Sequence, residues 1–260
     1  AHARGVDELR RRAEPWTLAR AADEAGLDVA DLERFVGLYV AATPAVIRAG
    51  WGLERNRNGG SAVAAILALP AVAGKFGVRG GGYTMSNSGA WRFDATAIAG
   101  PEPATRIVNM NRLGEALTSY DAPPVQALFV YNSNALATAP DQERVRRGLA
   151  RADLFTVVFE QVMTDTARYA DVVLPATTFL EHRELARGYG AFVLHLAEAA
   201  VPAPGEARPN YDVFGELAVR CGVARPGEIP DWRRAVDLLL DSTGRGEPLR
   251  RELEARGVAH

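Results

Sequence analysis

The sequence has almost no cysteine, almost no lysine and no long apolar run. Cys221 is the single cysteine. That excludes an intrachain disulfide framework and an iron–sulfur cluster held by cysteines of this chain alone. Cys221 and the histidines show no zinc-type spacing. No stretch approaches the roughly 18 apolar residues of a membrane-spanning helix, so no direct membrane insertion is expected. Lys75 is the single lysine among 30 basic residues. Arginine carries nearly all the positive charge, and one arginine alone is then weak evidence for anion binding. The net charge of −2 supplies no field that would draw nucleic acid, and none is expected as a partner. The opening residues, "AHARGVDELRRRAEPW", lack the apolar core of a signal peptide and read as if they begin mid-protein. A cytoplasmic location is expected over a periplasmic one.

What is present is ordinary for a globular chain: 48% hydrophobic and 24% charged residues over 260 positions, enough to bury a core in one large or two modest domains. Residues 6–42 read as polar-faced helices, with Pro15 near a start, Gly26 as a stop and Asp28 as a cap. "PAVIRAG" is an expected strand. "SAVAAILALPAVAGKFG" reads as a buried helix interrupted at Pro70, and "VRGGGYTMSNSGAWRFD" as a glycine-rich loop. "DAPPV", Asp121 to Val125, is the expected boundary between a first α/β domain (1–122) and a second (123–222), with a helical and linker tail over 223–260.

After that boundary the rhythm changes. "VQALFVY", "LFTVVF" and "DVVLP" read as strands, with "DQERVRRGLARA" and "TDTARYA" as helices between them. Strands alternating with short helices predict βαβ units, a parallel or mostly parallel Rossmann-like sheet and flanking helices. "NYDVFGELAVRCG" is a further helix, opened by Asn210 and stopped by Gly222.

In such a fold ligands sit beyond the carboxyl ends of the strands, where helices begin and free N–H groups favour anions. Three polar turns fall there. The first is "GWGLERNRNGG": Gly50 and Gly52 admit close approach, Trp51 could stack on a flat ring, and Arg55 and Arg57 could pair with phosphate. The same residues could be a tight turn with solvated arginines. The second carries Asn132, Ser133 and Asn134, which could bind a ligand or merely cap and turn the chain. The third carries Glu160 and Gln161. A carboxylate there can accept from a guanine edge or a ribose hydroxyl, or simply complement a helix start, with Thr164 as a cap. No nucleophile constellation appears: Ser61, Ser86, Ser88 and Ser133 lie in no G-x-S-x-G setting, and His182 and His195 have no spaced partner. Glu181 and Glu184, in "EHRE", read as a solvated face. Binding chemistry without acid–base machinery points to a cofactor that brings the reactive centre, and catalytic residues stay unassigned.

Taken together, "GWGLERNRNGGSAVAAILALPAVAGKFGVRGGGY", "ALFVYNSNALATAPDQ", "FTVVFEQVMTDTARYADVVLPATTFLEH" and "EARPNYDVFGELAVRCG" resemble the molybdopterin oxidoreductase family, the dimethyl sulfoxide reductase-like enzymes. The run "TDTARYADVVLP" is the most specific. The resemblance implies a bis(molybdopterin guanine dinucleotide) cofactor with molybdenum or tungsten, and a chain built from parts of the family's two central domains. It further implies a small-molecule substrate, N- and C-terminal domains of the same enzyme beyond this chain, and in some members an electron-transfer subunit. A [4Fe–4S] cluster would belong to the N-terminal part outside this chain.

By the same resemblance Trp51 and Arg55 match positions that bind the guanine dinucleotide, and Asn132, Ser133 and Asn134 a turn that contacts it. Glu160 matches an acidic position that binds guanosine, with Thr164 nearby. His182 stands where some members have Lys, and Asn210 where some have Asp. Asn87 and Ser88 match the loop that approaches the metal; no metal-ligating residue is expected. A second reading is a non-catalytic relative that has lost the cofactor within a respiratory-type complex. A third, an unrelated NAD or ATP enzyme, is disfavoured because neither G-x-G-x-x-G nor G-x-x-x-x-G-K-[ST] occurs.

Overall fold

The computed structural model describes residues 4–85, 89–99, 105–189 and 191–260. The chain divides into two compact units, Ala1–Gly89 and Ala90–His260. The proline-rich stretch at Asp121–Val125 lies inside the second.

The first unit opens with α1 (Val6–Ala13), α2 (Leu18–Ala25) and α3 (Val29–Ala41). Thr17 caps α2 by accepting from the Arg20 N–H at 3.2 Å, and Gly26 ends it in the left-handed region at φ 67°. Asp28 sits at the cap position of α3, but its side chain makes no capping bond. Two short strands, β1 (Val46–Arg48) and β2 (Gly82–Thr84), pair in parallel, with α4 (Gly59–Val72) between them. This departs from the sequence reading twice. The glycine-rich loop contains a strand, hidden because Gly81 and Gly82 carry no strand-forming side chain. Their smallness has a cause: a Cβ on Gly81 would sit 2.5 Å from the Lys75 carbonyl oxygen, and one on Gly82 3.0 Å from the Phe76 ring. And α4 runs through Pro70 for two more residues, with only Gly59 and Pro70 of its length buried. Lys75, 5% exposed, closes this unit. Its ammonium donates to the Val40 and Ala42 carbonyls, at 2.8 and 2.7 Å, where the C-terminal end of α3 favours a cation.

The second unit begins with α5 (Thr96–Ala99) and α6 (Leu113–Ser119). Then β3 (Ala127–Tyr131), β4 (Phe155–Glu160) and β5 (Val172–Pro175) form a parallel sheet in the order β3-β4-β5. Between β3 and β4 lie α7 (Ala135–Thr138) and α8 (Gln142–Leu149); a 3₁₀ turn, Ala167–Tyr169, joins β4 to β5. Strand alternation sorts the side chains. Leu128, Val130 and Val158 face the cores built with Leu117, Leu136, Val145, Leu149 and Ala167. Phe129, Tyr131 and Phe159 face the other way and meet Phe214 of α9 (Asn210–Arg220). Helices α6 and α8 pack closely because Gly148 has no side chain; a Cβ there would lie 2.5 Å from Leu117 Cβ.

A second sheet, antiparallel, is formed by β6 (Glu184–Arg187), β7 (Leu194–Ala197) and β8 (Val258–Ala259). Helices α10 (Trp232–Ser242) and α11 (Gly246–Arg256) cover it through Leu194, Val236, Leu240, Leu249, Leu253 and Ala259. Residues 223–260 therefore carry helices, as their pattern implies, and also a strand that returns to β7. The fold is α/β, with parallel sheets flanked by helices as expected.

Candidate functional site

The parallel strands β3, β4 and β5 deliver Asn132, Gln161 and Thr177 just past their carboxyl ends. All three line one cavity of about 700 Å³. The rest of its wall includes Phe179 and the stretch Glu181 to Glu184 leading into β6, Asn210, Tyr211 and Asp212 at the start of α9, and Trp232 at the start of α10. This is the position at which open parallel sheets bind ligands.

Local geometry sets each group. Asn132 turns the chain out of β3 in the left-handed conformation, φ 50°, with its N–H on the Phe159 carbonyl at 3.2 Å. Gln161 donates through Nε2 to the Thr177 carbonyl at 3.2 Å. Thr177, 2% exposed, holds His182 by an Oγ1–Nδ1 hydrogen bond of 2.9 Å. Glu181 accepts from the Thr178 N–H at 2.9 Å, and Arg183 is paired with Glu198 at 2.7 Å. Tyr211 spends its hydroxyl on the Pro230 carbonyl at 2.5 Å. Burial first, and then the Asp231 and Asp212 carboxylates, push that phenol above its ordinary value, so it stays a donor. No hydrogen bond or ion pair engages the side chains of Asn210 and Asp212 among the described residues.

Of the residues expected at a site, the cavity gathers Asn132, His182 and Asn210. Glu160 lies beside Gln161 at the end of β4, and one of its carboxylate oxygens accepts from the Gln161 N–H at 2.8 Å. Ser133 is exposed on the turn after β3. Asn134 is a brace: its Oδ1 accepts from the Thr166 hydroxyl at 2.9 Å and N–H at 3.3 Å, and its Nδ2 reaches Asp165 at 3.3 Å. Thr164 accepts from the Ala167 N–H at 3.2 Å, as a cap does. Trp51 and Arg55 lie in the first unit, both exposed, and Arg55 and Arg57 have no ionic or hydrogen-bonding partner among the described residues. Asn87 and Ser88 lie outside the described residues. Glu181, half-buried, and Glu184, exposed, line the cavity where the chain turns from β5 into the antiparallel sheet. Thr177, Asp212 and Trp232 were not singled out from sequence; for Thr177 the signal was available, one residue past "DVVLPA".

Among the described residues no three His, Cys, Asp or Glu side chains converge to hold a metal ion. No helix among them is long and apolar enough to cross a membrane.

Comparison with known proteins agrees with this architecture. The family model described as "Molybdopterin oxidoreductase" matches residues 21–220. The chain is 36% identical over 222 residues to "Probable oxidoreductase YoaE" of Bacillus subtilis, covering 84% of this chain and 32% of that protein. It is 29% identical over 241 residues to the "Dimethyl sulfoxide/trimethylamine N-oxide reductase" of Cereibacter sphaeroides, covering 80% of this chain and 29% of that protein. The structure of "Acetylene Hydratase from Pelobacter acetylenicus" superposes with a TM-score of 0.69 at 21% identity, covering 98% of this chain and 40% of that one, a likeness of fold. The chain thus spans about a third of the length of the curated relatives it matches.

Proposed function

The chain belongs to the molybdopterin oxidoreductase family, and from that premise we propose that it is the central, nucleotide-holding part of a molybdenum- or tungsten-dependent oxidoreductase. The cavity at the ends of β3, β4 and β5 takes the guanosine end of a molybdopterin guanine dinucleotide. The observation that carries this reading is the chemistry of the cavity wall. Its amides (Asn132, Gln161, Asn210) and carboxylates (Glu181, Glu184, Asp212) offer partners for the N–H edge of a base and for ribose hydroxyls. Its one arginine, Arg183, is committed to Glu198. Such a wall suits the uncharged end of a dinucleotide and not its pyrophosphate.

The turn after β1 has the opposite character. Arg55 and Arg57 are unpaired among the described residues, Trp51 is 53% exposed, and a Cβ on Gly50, Gly52 or Gly60 would meet nothing within 4 Å. The fold of the first unit does not require glycine at those three positions. Within the first unit alone, room beside the main chain together with guanidinium groups unengaged among the described residues fits a phosphate.

In this reading the chain's own residues bind and orient. Asn210 and Asp212 face the base or sugar, Glu160 holds the end of β4, and Asn134 keeps the turns after β3 and β4 in register. When bound, the cofactor supplies a metal that exchanges two electrons, with or without an oxygen atom. The small-molecule substrate, the domains that complete the enzyme, any [4Fe–4S] cluster and an electron-transfer subunit belong to parts outside this chain. The test is to produce the full-length polypeptide that carries it in a cofactor-competent host and to assay metal, released pterin and released GMP. Molybdenum or tungsten with GMP near stoichiometry is the expected result. Their absence would sink the proposal in favour of a cofactor-free structural relative.

A further inference from the structure

The cavity contains one polar pair whose proton positions can be deduced. Thr177 is 2% exposed, and among the described residues the one partner of its hydroxyl is His182 Nδ1, at 2.9 Å. A buried hydroxyl proton needs an acceptor, and leaving it without one costs more than the bond itself gains. If Nδ1 carried the proton, the Thr177 hydroxyl would have to accept, and its own proton would be stranded. The hydroxyl therefore donates to Nδ1, which makes the neutral imidazole the Nε2–H tautomer. Nε2, on the far side of the ring, has no partner among the described residues and belongs to a side chain that lines the cavity.

The pair is held in place from both sides. Thr177 donates its N–H to the Arg208 carbonyl at 3.2 Å and accepts at its own carbonyl from Gln161 Nε2. Glu181 is fixed on the Thr178 N–H. The other charged groups of the wall are Arg183, Glu184 and Asp212. Three carboxylates supply acceptors, and the amides of Asn132, Gln161 and Asn210 carry both a donor and an acceptor. His182 adds a donor that cannot act as an acceptor while Thr177 holds Nδ1.

We propose, resting on the guanosine reading above, that His182 Nε2–H is the donor that reads the 6-oxo group of the bound base, and that Thr177 is its positioning residue. A guanine or hypoxanthine presents an acceptor at position 6. An adenine presents an N–H donor there, which would face the Nε2–H donor and leave both unsatisfied. The pair thus selects 6-oxopurine over 6-aminopurine nucleotides.

The test uses the full-length protein stripped of cofactor, with GMP, IMP and AMP as probes. We expect GMP and IMP to bind roughly tenfold more tightly than AMP, as one hydrogen bond against one unsatisfied pair allows. His182→Leu and Thr177→Val should reduce that preference to about twofold or less, chiefly by weakening GMP and IMP. Thr177→Val keeps the shape of the side chain and loses one buried hydrogen bond, so a slightly lower Tm with cooperative unfolding is expected. Thr177→Ser should restore the preference, which a purely structural role for Thr177 would not predict. If GMP binds and the preference survives both His182→Leu and Thr177→Val, this inference is overturned while the guanosine reading stands. If only His182→Leu abolishes it, Thr177 is not the positioning residue. If the unmodified protein binds none of the three, the guanosine reading falls, and this inference with it.

Discussion

Two turns of this chain look alike in sequence and are built in opposite ways. Each follows a parallel strand and carries asparagines. In the turn after β1, Trp51, Arg55 and Arg57 stand exposed, and neither arginine has a partner among the described residues. In the turn after β3, Asn134 is consumed by the protein itself, through Thr166 and Asp165, and the Thr166 hydroxyl passes the contact on by accepting from the Leu136 N–H at 3.0 Å. The first turn leaves its cationic side chains unengaged among the described residues. The second uses a polar side chain to lock two strand ends together. A residue type at a strand end therefore does not say which of these it does; only its partners do.

The contrast can be broken most sharply at Asn134. Asn134→Ala removes the acceptor of the fully buried Thr166 hydroxyl and should destabilise the fold by about 2–3 kcal/mol. Denaturant unfolding measures it, and a loss below about 0.5 kcal/mol would mean that the brace is dispensable. Thr156 sharpens the comparison from within the same sheet. It is as buried as Thr166, but its hydroxyl has no partner among the described residues. Thr156→Val should therefore stabilise by about 1 kcal/mol, seen as a higher Tm; a lower one would show that the hydroxyl is satisfied in solution. The smallest effect on stability is expected at Arg55. Arg55→Ala should change it by less than about 0.5 kcal/mol while lowering cofactor retention in the full-length protein. Unchanged retention would remove the first turn from the binding surface.

Much of the second unit was legible because its strands are uninterrupted apolar runs and its helices carry their own stops. Phe155–Glu160 and Val172–Pro175 needed no tertiary information. What escaped was written in contacts. The strand at Gly82–Thr84 lacks strand-like composition because Lys75 and Phe76 crowd it. The pairing of Val258–Ala259 with β7 joins residues some 60 positions apart in the sequence, beyond any local pattern. That polar residues stand at the parallel strand ends was legible, but which of them line one cavity was not. Asn132, His182 and Asn210 share a cavity with Thr177 and Trp232, which no local motif connects to them. Asn134 and Thr164 make hydrogen bonds internal to the fold that no local motif announces.

Lys75 has a practical consequence. It is the only side-chain primary amine in the sequence, and its nitrogen is shut against the Val40 and Ala42 carbonyls with 5% of the residue exposed. An acylating reagent can reach that amine only when the first unit opens. Its rate of modification, followed by mass spectrometry, would thus serve as a built-in clock for the breathing of that unit.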